Sequence, residues 1–127
     1  FGEVNLNNIP ATYVEWIKNL KLYIVLKDYV LVHAGLNFKN ENPFEDKSDM
    51  LWTRDFNIEP AKIDDRTIIH GHVPVHIDFI NLCIRKKDYH FIDLDNGVYV
   101  TNKEGFGTLT AFELNSKTLL TQNNIDL

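Results

Sequence analysis

A chain of 127 residues and 14.8 kDa, 44% hydrophobic and 12% aromatic, carries the apolar surface for one folded domain or part of one. Its net charge of −5 argues against a nucleic-acid partner, and no apolar run approaches the ~20 residues of a membrane helix. Cys83 is the only cysteine, which excludes an internal disulfide; with no basic, hydrophobic leader, a reducing, cytoplasmic setting is the expectation.

The first nine residues are rich in asparagine and read as irregular. Pro10 can open a helix, because its missing N–H would be unpaired in the first turn anyway. Tyr13, Trp16, Ile17 and Leu20 then fall at i, i+3, i+4 and i+7, one apolar face of that helix. Leu22–Leu26 and Tyr29–His33 are β-rich runs on either side of Lys27-Asp28, the pattern of a hairpin. Residues 37–48 are polar and turn-prone, a long loop of the kind that carries function. A short helix through Met50, Leu51 and Trp52 is predicted next, with Arg54 at or beyond its end. Asp64-Asp65-Arg66 leads into a strand at Thr67–His70. Strand-like segments come next at Ile77–Ile84, Tyr89–Leu94, Val98–Val100, Thr108–Leu114 and Lys117–Thr121. Turns are expected at the basic Arg85-Lys86-Lys87 with Asp88, at Asp95-Asn96-Gly97 and at Asn115-Ser116. The reading is a β-rich α+β unit, a mixed sheet with few helices.

Several residues could carry chemistry. His33 ends the apolar run YVLVH and is followed by small Ala34 and Gly35, which leave its imidazole open at the lip of a sheet. His70 and His72 would share one face of a regular strand, but Gly71 and Pro74 let the chain turn, so the two need not share a site. An H-x-H pair alone is weak evidence for zinc, and a satisfied histidine at a strand end is the plainer reading of each. Arg54 lies between Trp52 and Phe56, two apolar anchors. Such an arginine forms a structural ion pair, here with Asp55 or Asp49, or grips phosphate as a bidentate fork. On that stretch alone the ion pair is favoured. His76 and His90 are assigned no role.

Taken in order, VHAGL, LWTR, GHVP and IDLDNG resemble the C-terminal half of the calcineurin-like metallophosphoesterases, nearest to the bacterial and phage-type serine/threonine phosphoprotein phosphatases. The helix YVEWIKNL resembles the one that precedes the first of those motifs, and the likeness runs from about Pro10 to Leu114. It implies the β-rich half of a four-layer α/β/β/α sandwich. It further implies that His33 and His72 are ligands of one metal of a two-metal centre and that Arg54 clamps the substrate phosphate, with His70 outside the ligand set. The metals would be two divalent ions, manganese first, with iron or zinc as alternatives, and the substrate a phosphoprotein or small phosphomonoester.

The chain departs from the family at Val73, where threonine is usual, and at IDLDNG, which replaces IDTGA. The family's GDxHG, GDxxDRG and GNHE motifs, which carry the carboxylate and asparagine ligands, do not occur in it. The chain is therefore expected to be the second part of a catalytic domain, inactive alone and prone to associate through its uncovered sheet face. Symmetrical dinucleoside tetraphosphate hydrolysis is an alternative within the same class. A non-catalytic binding module is an alternative outside it, and a single zinc held by His70, His72 and His76 is a third.

Overall fold

The computed structural model describes residues 9–125, so the asparagine-rich start expected to be irregular lies, but for Ile9, outside the described residues. Helix α1 spans Ala11–Lys18, directly after Pro10, and buries none of its residues. Strands β1 (Tyr23–Val25) and β2 (Tyr29–Val32) form the expected antiparallel hairpin, Ile24 opposite Leu31. Helix α2 is Lys47–Trp52, capped by the Asp46 carboxylate, which accepts the Ser48 and Asp49 N–H groups. Strand β3 is Thr67–His70 and runs parallel to β2, with Leu31 beside Ile69. Helix α3 is Ile77–Arg85, β4 is Phe91–Asp93 and lies parallel to β3, and β5 (Thr108–Glu113) pairs antiparallel with β6 (Thr118–Asn123).

The result is an α+β fold, a four-stranded mixed sheet in the order β1-β2-β3-β4 beside a two-stranded hairpin. Val30, Val32 and Ile68 point from one face of the sheet into a core closed by Leu36, Phe38, Met50 and Ile63. Ile69, one position on, points to the opposite face, and Ile92 is its partner on β4, the strand against which α3 packs. Among the described residues no helix is long and apolar enough to cross a membrane.

Two expected strands are absent. Ile77–Ile84, read as a strand closed by a basic turn, is helix α3. It buries Ile80 and Cys83, three positions apart, and not alternate residues. The ends explain the choice: His76 Nδ1 accepts the Asp78 N–H at the first turn, with Asp78 there and Arg85 in the last turn, where each charge suits the helix dipole. Arg85 therefore closes a helix, and Lys87 begins a 3-10 turn at Lys87–Tyr89. Val98–Val100 forms no strand either; the Val100 N–H turns back to the Gly97 carbonyl at 2.8 Å, with Gly97 at φ +63°.

Candidate metal centre

Parallel pairing of β2 and β3 decides where the histidines go. It sends the two strands out of the same edge of the sheet, and the ladder continues one step further, the Gly71 N–H donating to the His33 carbonyl at 2.9 Å. His33 leaves the end of β2 exposed; Ala34 and Gly35 behind it are buried. Ala34 N–H donates to the Met50 carbonyl at 2.9 Å, which ties this turn to α2. At Gly35 a methyl group would stand 2.5 Å from the Phe56 ring and 2.6 Å from Thr53 Cγ2, so only glycine allows the 53–56 segment to close over it.

His72 follows Gly71 with φ +79°, a region that a residue with a Cβ seldom occupies and that stores strain. The backbone there bends the ring back toward β2. His33 Nε2 and His72 Nδ1 stand 3.0 Å apart although 39 residues separate them, and the rings meet edge to face at 4.8 Å between centroids. Nitrogens at about 2.0–2.1 Å from one ion lie about 2.9 Å apart at a right angle and about 3.4 Å apart at the tetrahedral angle. The observed separation fits two adjacent ligands of one ion, and equally a hydrogen bond in which one ring carries the proton the other accepts. Among the described residues no group of three or more His, Cys, Asp and Glu side chains is placed to hold a metal, so the pair is at most part of a ligand set.

The loop that carries His72 is held by β4 and by residues 94–96 beyond its end. The Val75 N–H donates to the Asp95 carbonyl at 2.8 Å, and the Leu94 N–H to the His70 carbonyl at 2.8 Å. Asn96 is 2% exposed; its amide donates to the carbonyls of Val75 at 2.9 Å and Gly105 at 2.8 Å, and its oxygen accepts the Thr108 N–H and hydroxyl. Sequence reasoning placed Asn96 in a hairpin turn and missed this positioning role. An asparagine in an Asp-Asn-Gly turn gives no signal of which way its amide faces.

Arg54 lies two residues past α2, exposed, on a cleft of about 220 Å³ that reaches Gly71 and His70 and has Val73 in its wall. Among the described residues it forms no ion pair and no side-chain hydrogen bond, so the expected pairing with Asp49 or Asp55 is not formed. Its flanking aromatics differ from expectation. Phe56 is an anchor, stacked on Phe38 at 6.4 Å, whereas Trp52 is 69% exposed and stands edge-on to His72 at 6.0 Å.

The three histidines of IIHGHVPVH face three ways. His70 lies between Phe56 and Phe91, its Nδ1 3.2 Å from the Gly71 carbonyl and its Nε2 buried without a partner; burial pushes its pKa down. His76 caps α3 and meets Phe106 edge-on. A shared site for His70, His72 and His76 is therefore not formed. His90 ends the 3-10 turn at φ +55°. Beside His70 on β4, Asp93 is 4% exposed, and burial raises its carboxyl to about 6 against the help of the Asp95 N–H.

No family model, curated protein or solved structure matches this chain. Its own geometry alone defines the site.

Proposed function

We propose that the protein is a metal-dependent phosphoesterase of the serine/threonine phosphatase type, acting on phosphomonoesters. The observation that carries this reading is the meeting of His33 Nε2 and His72 Nδ1 at 3.0 Å, with Arg54 unpaired on the adjoining cleft. His33 and His72 would hold one divalent ion, manganese, iron or zinc, as neutral imidazoles suit all three. A pair of such ions, when bound, supplies Lewis acidity toward phosphate and a more acidic water. Arg54 presents a planar fork of donors to two phosphate oxygens and neutralises their charge. The buried Ala34-Gly35 turn and the His72 backbone place the two rings side by side without a ligand, so binding would not have to bring them together.

The remaining ligands would come from a further part of the catalytic domain. The uncovered apolar face of α1 supports this, with Tyr13 61%, Trp16 63% and Ile17 58% exposed on a helix that buries nothing. A second reading, a binding module without catalysis, draws on one observation: no third ligand joins the two imidazoles among the described residues.

Manganese-dependent hydrolysis of p-nitrophenyl phosphate by the product of the complete reading frame separates the two. Expected is activity that falls by roughly 10²–10³ in the Arg54→Ala variant, the usual loss when one donor to transition-state charge is removed. His33→Ala and His72→Ala are expected to abolish manganese dependence. An unimpaired His72→Ala variant removes the ligand assignment, and inertness with every divalent metal leaves the binding module.

A further inference from the structure

The other edge of the sheet carries a second candidate. β2, β3 and β4 all run parallel, so their first residues, Tyr29, Thr67 and Phe91, lie at one edge while His33 and His72 leave the opposite one. Four residues of strand put the two edges roughly 13 Å apart. At the starting edge, between the sheet, the end of α3 and the turn of the β5–β6 hairpin, is a cleft of about 540 Å³, within the ~300–1,000 Å³ of small-molecule sites.

Its charge is unlike that of the chain. Lys27, Lys86, Lys87 and Lys117 line it, brought together from three turns, in a protein of net charge −5. None of the four forms an ion pair or side-chain hydrogen bond among the described residues. Of the acids on the same cleft, Asp64 is held by Arg66 at 2.6 Å, which leaves Asp28 and Asp65 against four free ammonium groups. The same cleft takes apolar lining from Ile84, Phe112 and Leu114.

We propose that this cleft binds a nucleoside polyphosphate, its base against the apolar wall and its phosphates on Lys86, Lys87 and Lys117. Four exposed ammonium groups at one edge, against the two carboxylates of Asp28 and Asp65, leave a net positive field there that favours a ligand with more than one negative charge. A bare polyphosphate would satisfy the lysines and leave Phe112 and Leu114 facing water; an uncharged nucleoside would do the reverse. Lysine suits this role, being a flexible point charge that follows a phosphate chain without demanding the planar geometry of arginine. Neither His33 nor His72 lines this cleft, so the site is independent of the metal centre.

The test is titration of the chain with a fluorescent ribose-labelled ATP in EDTA, which keeps divalent ions away from His33 and His72. Saturable binding is expected, displaced by ATP at least ~10-fold better than by tripolyphosphate or adenosine, because each competitor offers half of the recognition. The Lys86→Ala/Lys87→Ala/Lys117→Ala variant is expected to bind at least ~10-fold more weakly, with a smaller dependence on salt. Lys39→Ala/Lys103→Ala, remote from the cleft, and His72→Ala are expected to bind as the parent does, with circular dichroism confirming that each variant is folded. Equal displacement by tripolyphosphate and ATP would overturn the nucleoside part and leave a site for inorganic polyanions only. No saturable binding below 1 mM (roughly −4 kcal/mol), an unaffected triple variant, or loss of binding in His72→Ala would overturn the proposal.

Discussion

Gly35→Ala tests whether the turn behind His33 is as tight as its packing implies. The added methyl group would lie 2.5 and 2.6 Å from two Phe56 ring carbons and 2.6 Å from Thr53 Cγ2, far inside ordinary van der Waals contact. Neither neighbour can simply withdraw. Phe56 is stacked on Phe38 at 6.4 Å and stands edge-on to His70 at 5.2 Å, and the Thr53 hydroxyl donates to the Asp55 carbonyl at 3.0 Å. Overpacking of this kind costs about 1–3 kcal/mol. For a chain of this length that is a fall in Tm of roughly 4–12 °C. Urea and thermal unfolding followed by circular dichroism would measure it, with Phe56→Leu and the double variant completing a cycle. Relief of the clash predicts that the double variant is more stable than the sum of the singles by about 1 kcal/mol or more. Because Thr53 and Phe56 flank Arg54, the same substitution is expected to raise the KM of the proposed phosphoesterase activity of the complete reading frame's product. A Gly35→Ala protein melting within about 1 °C of the parent would refute the packing argument.

Asp93 makes stability depend on pH in a predictable sense. Its carboxyl titrates near 6 in the folded protein against 3.8 ordinarily, so between those values the unfolded chain loses the proton first. Stability therefore falls as pH rises from about 4 to 6, by up to about 3 kcal/mol, and is level above. Asp93→Asn keeps an acceptor for the Asp95 N–H and should remove that slope; a parent-minus-variant difference that is flat in urea midpoints from pH 4 to 7 would count against it. His72→Gly is expected to be more stable than His72→Ala by about 0.5–1 kcal/mol in EDTA, since only glycine sheds the strain at φ +79°, and equal stability would show no strain there. Trp16→Glu/Ile17→Lys should leave the unfolding free energy within about 0.5 kcal/mol of the parent's, as α1 buries nothing, while lowering self-association in sedimentation; an unchanged sedimentation profile argues that this face seats nothing.

Much of this fold was legible because local patterns decided it. The stretch from Pro10 to Leu20 shows helical spacing, β1 and β2 lie in β-rich apolar runs on either side of Lys27-Asp28, and Thr67–His70 is a short apolar run between an acidic turn and Gly71. The hairpin of β5 and β6 is marked by strand-like runs on both sides of Asn115-Ser116, with clean alternation of burial in β5. The failure at Ile77–Arg85 has a physical source. Its residues alternate well enough for a strand and repeat well enough for a helix, so the period alone could not choose. The His76 cap and the terminal charges were the available signals, and they agree with the helix that forms.

The candidate site divides in the same way. The residue types, imidazoles at strand ends before small residues and an arginine beside an aromatic anchor, were readable from the chain alone, because those features depend on neighbours in the chain. Chain neighbours say nothing of the meeting of His33 and His72, the turn of His70 away between two phenylalanines, or the unpaired Arg54; these appear only when the chain folds. The first two outcomes come from the parallel register of β2 and β3, and from the β4 loop that grips residues 71–76 through Asp95 and Asn96. Register is set by which buried faces must coincide across strands far apart in sequence, and no local pattern contains that information.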